Sequence, residues 1–367
     1  MEQGLKWLGL LAALLAFGNL CVYLRVTTLH QTAPSPVLHQ LKPPSATVIL
    51  ANKARLANEY MRCVTSPNST WVPREPGVIL PDWRLNKSES ICPNILHPFT
   101  VNTTNRTGLF YTWRPPIEAS CRDLEPFSRE RFCQVMHGRR LYLVGDSITG
   151  EFYGNMRFLF GEHMVDKPGM PKSWCSPKVI LNCPTPFPPI PLAVVWSPLL
   201  DKFPAPNQTF DHDSVFLLNS GAHFRETPLL LDTMRKCIGR LLESNPNVTI
   251  VWRTTTMGHD FATYPGIRPF TSRLPLLIPS PPINLTSIGM RFPGYFKQNY
   301  SWHRFEEQNL AMMEMLTEEF PNVLYLDVYH MDRLALDGMR DGLHFCIPSQ
   351  RKEWAGLLMN ALIRIEK

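Results

Sequence analysis

The chain has 367 residues, 19% of them charged, and a formal net charge of +6 at neutral pH. Lysine and arginine are scattered along it rather than clustered, which excludes a basic footprint for nucleic acid and leaves the charge as solvated surface. Once its N-terminal segments are set aside, about 300 residues remain, enough for one large domain with its own core.

From Trp7 to Leu24 the residues are apolar apart from Asn19, between Lys6 and Arg25. The run approaches the roughly 20 residues that span a bilayer, and no Ala-x-Ala cleavage site follows Phe17. Residues 1–26 are therefore expected to form an N-terminal transmembrane helix, an uncleaved signal anchor; a cleaved signal peptide is the alternative. Residues 27–62, opening on a Pro- and Thr-containing stretch, read as a stem. Asn-x-Ser/Thr acceptors begin at Asn68, Asn86, Asn102, Asn105, Asn207, Asn247, Asn284 and Asn299, and together favour a glycosylated domain facing a secretory lumen. Cysteine usage agrees. Beyond Cys21, the residues Cys63, Cys92, Cys121, Cys133, Cys175, Cys183, Cys237 and Cys346 make an even set suited to disulfides in an oxidising compartment. No Cys-x-x-Cys pair suggests zinc, Asp211-His-Asp213 reads as an acidic loop before a strand, and no metal is assigned. Residues 63–134 hold four of the cysteines with Trp71, Trp83 and Trp113 but little periodicity, so they are expected to be a disulfide-tied N-terminal subdomain on a catalytic domain of residues 135–367.

Within that catalytic domain, short runs rich in Val, Leu and Ile alternate with helical periodicity. Arg140 to Val144, Val215 to Leu218, Val248 to Trp252 and Val323 to Val328 predict buried parallel strands. Ile148 to Phe160, Pro228 to Glu243 and Arg304 to Glu319 predict helices. A last helix begins after Ser349, its cap, with Trp354, Leu357, Leu358, Ala361, Leu362 and Ile365 on one stripe. The alternation predicts a three-layer α/β/α domain around a central parallel sheet, with ligands at the C-terminal ends of its strands. The Pro-rich runs Pro184 to Pro191 and Pro275 to Pro282 read as surface loops, because proline lacks the donor and fixes φ.

Two motifs carry the chemistry. Leu141-Tyr-Leu-Val-Gly-Asp-Ser147 is a strand running into a turn, and Asp341-Gly-Leu-His344 supplies a histidine with an acid three residues earlier. A serine between a strand and a helix sits where backbone N–H groups and the positive helix end converge on a developing oxyanion. A serine hydroxyl also needs a base, and Asp341 can fold back to hold one imidazole nitrogen of His344 while the other faces Ser147. The plainer reading is that Ser147, or its neighbour Asp146, only caps the helix; Asp146 is also a candidate substrate contact. At the same predicted edge, Asn219 is an oxyanion-donor candidate or a turn residue before Gly221. Arg253 and His259, in Trp252-Arg-Thr-Thr-Thr-Met-Gly-His259, are candidates for holding substrate, a packed structural role being the alternative for Arg253.

The order Cys63, Trp71-Val72, Tyr111-Thr-Trp-Arg-Pro115, Cys121, Gly138-Arg-Arg-Leu-Tyr-Leu-Val-Gly-Asp-Ser147, Asn219-x-Gly-x-His223, Trp252-Arg-Thr254, Leu326-Asp327 and Asp341-Gly-Leu-His-Phe-Cys-Ile-Pro348 resembles the trichome-birefringence-like family of the PC-esterase group. The resemblance covers nearly everything after the stem. It implies an SGNH-hydrolase-like fold and a single-pass type II protein of the Golgi membrane that O-acetylates cell-wall polysaccharides such as xylan. Ser147, Asp341 and His344 fall on that family's triad, and Gly154 is the candidate for the additional oxyanion glycine of secreted SGNH esterases. Where plant members usually continue the serine motif with Arg-Asn, this chain reads Gly-Asp-Ser-Ile-Thr-Gly-Glu151.

The expected reaction is a double displacement: Ser147 takes an acetyl group from a donor with His344 as base, and a sugar hydroxyl then receives it. No bound cofactor is expected. The partners are the acetyl donor, a polysaccharide or glycan acceptor, and the membrane through the N-terminal helix. A carbohydrate acetylesterase with the same triad, and a catalytically silent glycan-binding protein, are the alternatives.

Overall fold

The computed structural model describes residues 45–66, 69–73, 111–116, 121, 124–167, 178–205, 208–211, 213–256, 304–329, 331, 343–345, 347 and 349–366. The expected anchor, the first part of the expected stem, the run Pro275 to Pro282, His259, Asp341, and every sequon asparagine except Asn247 lie outside them. No helix among the described residues is long and apolar enough to cross a membrane.

In chain order the elements are α1 (Ser45–Val64), β1 (Thr70–Pro73), β2 (Tyr111–Arg114), α2 (Arg129–Met136), β3 (Leu141–Gly145), α3 (Ser147–Phe160), β4 (Met164–Asp166), β5 (Lys178–Leu181) and β6 (Ile190–Trp196). They continue with β7 (Val215–Leu218), α4 (Thr227–Ser244), β8 (Thr249–Arg253), α5 (Phe305–Glu319), β9 (Leu324–Leu326) and α6 (Glu353–Glu366). The chain is an α/β protein with a mostly parallel central sheet. Its strand order is β4-β5-β6-β3-β7-β8-β9; β6, β3, β7, β8 and β9 run parallel, and near one edge β5 is antiparallel to both its neighbours, β4 and β6. A separate antiparallel ribbon pairs β1 with β2.

Both faces of the sheet are covered, which is why the central strands are apolar without alternation. Along β3, Leu141 and Leu143 join a core with α1, α2, α3 and α6, while Tyr142 and Val144 join a second with α4 and α5. Ile148, Phe152 and Met156, spaced i, i+4 and i+8, lay one stripe of α3 on the first core. In the second, Tyr142 stacks on Phe216 at 4.7 Å and Phe210 meets Phe216 edge-on at 4.8 Å. Burying each such ring contributes about 1.5–3 kcal/mol.

The structure departs from the sequence reading at four places. β6, the inner strand beside β3, begins at Ile190 and so takes the end of the Pro184–Pro191 run; Pro191 precedes the register with β3, which opens at Leu192 opposite Leu141. Second, α1 starts inside the expected stem. Its Ala54, Ala57, Met61 and Val64, spaced 3, 4 and 3, are buried, and the Arg364 guanidinium of α6 sits 4.0 Å over the Tyr60 ring. Asn58 also covers the open edge of β9: its amide donates to Val323 O at 3.0 Å and accepts from Tyr325 N at 2.6 Å, in the manner of a neighbouring strand. Third, Trp113, Cys121, Phe132 and Cys133 of the expected subdomain share one core with α3 and α6. Two disulfides, Cys63–Cys121 and Cys133–Cys183, tie these segments, the second joining α2 to the loop after β5. Fourth, Cys237, counted in the expected disulfide set, is a free thiol buried in α4, in the same core as Met234, Ile238 and Leu241.

Candidate active site

The centre of the sheet's C-terminal edge is the turn from β3 into α3. Gly145 is required there, because a Cβ would overlap the carbonyl oxygen of Asn219, just after β7, and the Thr149 hydroxyl. Its own carbonyl accepts from Ser197 N at 2.8 Å, which pins the loop after β6 beside the turn. Asp146 is the helix cap: Oδ1 accepts from Ile148 N at 3.0 Å, and the residue is buried. The buried side chain thus serves the helix through Oδ1. Since the cap is Asp146, the hydroxyl of Ser147, the first helical residue, is left for other work. The first backward bond of the helix runs from Gly150 N to Asp146 O, so the Ser147 N–H is not needed by the ladder.

Ser147 Oγ lies 2.6 Å from His344 Nε2. An imidazole at that distance, unprotonated at Nε2, accepts the hydroxyl proton as the oxygen attacks. Helix α3 holds the histidine's segment at three places. Glu151 Oε1 accepts from Phe345 N at 3.0 Å, Ile347 packs over Gly154, and Asn155 Oδ1 accepts from Ser349 N at 2.8 Å. The polar stripe Ser147, Glu151, Asn155 at i, i+4, i+8 thus carries the hydroxyl and most of the frame for the imidazole. Ser349 Oγ accepts from Arg351 N at 3.2 Å, capping the single 3-10 turn Gln350–Lys352 that leads into α6.

The other predicted residues fall as follows. Gly154 is in the middle of α3, where its N–H belongs to the helix ladder; it is a packing glycine, since a Cβ would overlap Ile347 Cδ1, and not an oxyanion donor. Asn219 is at the right edge, but its amide donates to Arg253 O at 2.9 Å and Thr255 Oγ1 at 3.3 Å, which spends both hydrogens on β8 and its extension. Arg253 is fully buried and packed, with its guanidinium 4.7 Å over the Trp354 ring and Nη1 donating to Thr254 O at 3.0 Å. Its Nη2 reaches Thr149 Oγ1 at 3.4 Å, so it braces the first turn of α3 from below. Asp211, read as part of an acidic loop, pairs with Arg140 at 3.0 Å.

The sequence reading passed over Glu151, Asn155, Thr256 and Arg351, which surround the Ser147–His344 pair. The i, i+4, i+8 spacing was the available signal. Trp196 was also missed. It stands opposite Gly145 in the β3–β6 register and is 36% exposed, with Leu199 beyond it at 44%. The two give the β6 side of the edge an apolar rim. No protein-family model matches the chain, and no curated protein matches it.

Proposed function

We propose that the chain is a glycan O-acetyltransferase of SGNH-like architecture that works through a serine acyl-enzyme in the Golgi lumen. The observation that carries the reading is the 2.6 Å approach of His344 Nε2 to Ser147 Oγ at the start of a helix on the C-terminal edge of a parallel sheet. In the first half-reaction His344 takes the Ser147 proton, Oγ bonds to the acetyl carbonyl carbon, and the oxyanion rests on the Ser147 N–H until the donor's leaving group departs with that proton. In the second, His344 takes the proton of a sugar hydroxyl, whose oxygen attacks the acyl-enzyme carbonyl, and then gives that proton to Ser147 Oγ as it leaves. Asp341 is assigned the role of orienting His344 by its place three residues upstream. The two disulfides support an oxidising lumen. The apolar rim of Trp196 and Leu199 supports an acceptor with a flat C–H face, such as a pyranose.

The test is to incubate the full-length, detergent-solubilised chain and its Ser147→Ala variant with acetyl donors and an array of deacetylated glycans, following acetyl-glycan and free acetate together. Acetylated glycan from the wild type alone is the expected result. Acetate without glycan product moves the assignment to an esterase, and equal activity in the alanine variant removes Ser147 as nucleophile.

A further inference from the structure

We infer that the buried ion pair of Glu151 and Arg351 is a positioning device that sets His344 against Ser147. The inference rests on the serine acyl-enzyme reading and adds to it two residues to which no motif gave a role.

The Arg351 side chain is fully buried and that of Glu151 is 11% exposed. Two charges taken this far from water are costly unless each is paired and hydrogen-bonded. Here the bonds go to the histidine's own backbone neighbours. Arg351 Nη1 pairs with Glu151 Oε2, and Nη2 donates to Leu343 O at 3.0 Å and Thr256 Oγ1 at 3.0 Å. Glu151 Oε1 accepts from Phe345 N at 3.0 Å. The carbonyl just before His344 and the N–H just after it are thus held by the two halves of one ion pair. Stacking fixes the guanidinium plane, 4.6 Å over the Phe345 ring and 5.2 Å from the Trp354 ring. Glu151 sits one turn beyond Ser147 on the same helix, so the clamp on the imidazole and the hydroxyl it serves move as one body. Thr256 extends the clamp to the segment that follows β8.

The experiment needs no knowledge of the natural acyl donor. An alkyl fluorophosphonate reports the reactivity of a serine directly: Oγ bonds to phosphorus, fluoride leaves, and the hydroxyl proton passes to the base. The full-length chain and the variants Ser147→Ala, His344→Ala, Glu151→Gln, and Glu151→Gln with Arg351→Met would be titrated with the probe, separating limiting rate from probe affinity, below each variant's thermal midpoint. Wild type labelled at Ser147, with the Ser147 and His344 variants unlabelled, is expected. Glu151→Gln should lose about 100-fold in limiting rate with probe affinity retained, the size expected of a small misplacement of a reacting group. It should also melt at a lower temperature, because it removes the carboxylate that pairs with the buried Arg351 charge. The double variant discriminates. With no charge left to bury it should regain thermal stability, yet label as slowly as the single variant because Leu343 O has lost its donor. Recovery of the labelling rate together with stability would show a merely structural pair and overturn the inference, as would a wild-type rate in Glu151→Gln. A wild type that does not label at Ser147 overturns the serine reading itself, and the inference with it.

Discussion

Asn155 accepts twice from Ser349, from its backbone N–H at 2.8 Å and from its hydroxyl at 3.3 Å. The bond joins the helix that starts at Ser147 to the segment that carries His344, across 194 positions of sequence. Both residues are buried, so water cannot replace either partner. Asn155→Ala should therefore cost about 1–3 kcal/mol, the penalty of a buried donor left without an acceptor. Serine-probe labelling should fall along with the urea midpoint. Unchanged values of both would detach this bond from the site.

Ser147 and Asp146 are adjacent and separate cleanly by experiment. Ser147→Ala should lower acyl transfer on the order of 10⁴-fold, the scale for loss of one member of such a constellation. Its thermal midpoint should stay near the wild type's, since the cap is not its task. Asp146→Ala should instead cost about 1 kcal/mol through the lost cap. Calorimetry of the two variants checks the division; a large stability loss in Ser147→Ala would return the serine to a structural role.

The two glycines of the turn and helix answer differently to alanine. At Gly145 a methyl group meets the backbone carbonyl of Asn219, which cannot move without parting β3 from β7, so Gly145→Ala should cost about 1–3 kcal/mol or more and abolish labelling. At Gly154 the obstacle is the far end of the Ile347 side chain, and alanine gains about 1 kcal/mol of helix propensity. Gly154→Ala should leave stability near neutral and slow labelling modestly, whereas Gly154→Leu should displace the His344 segment. A Gly145→Ala protein as active as Gly154→Ala would contradict the packing at the turn.

Strands β3, β7, β8 and β9 were legible because each is buried on both faces and so reads as an unbroken apolar run. β6 was not, since its entry at Ile190-Pro191 ends a proline run. Helix α1 was hidden for another reason: its buried stripe uses Ala54 and Ala57, too small to raise hydropathy above that of a stem. At the site, Ser147 and His344 announced themselves by motif. Glu151 and Arg351 did not, because charged residues read as surface until burial is known, and here both are inside.

The Cys133–Cys183 bond anchors α2 to the sheet across 50 residues, and Cys63–Cys121 closes 58. Loops of that length give about 4 kcal/mol each by restricting the unfolded chain. Removing Cys133 and Cys183 together by alanine substitution should lower the thermal midpoint by several degrees, and reductant should then affect the variant less than the wild type. Equal sensitivity to reductant would place the stabilisation elsewhere.

Cys237 predicts an alkaline limit to stability. Burial among the apolar residues of α4 pushes its thiol up to about 12, whereas a thiol in an unfolded chain titrates near about 8.5. Between those values the unfolded chain loses a proton that the folded chain keeps. Stability is then fully present below about pH 8.5 and falls as pH rises, by up to about 1.4 kcal/mol per pH unit. Tyr325, also held protonated by burial, adds to the fall only above about pH 10. Urea midpoints at pH 8, 9 and 10 should therefore decline more steeply for the wild type than for Cys237→Ala. The variant starts lower, because it leaves a cavity beside Met234, Ile238 and Leu241, but its profile should be flatter over this window. Parallel slopes would show that the alkaline loss comes from other groups.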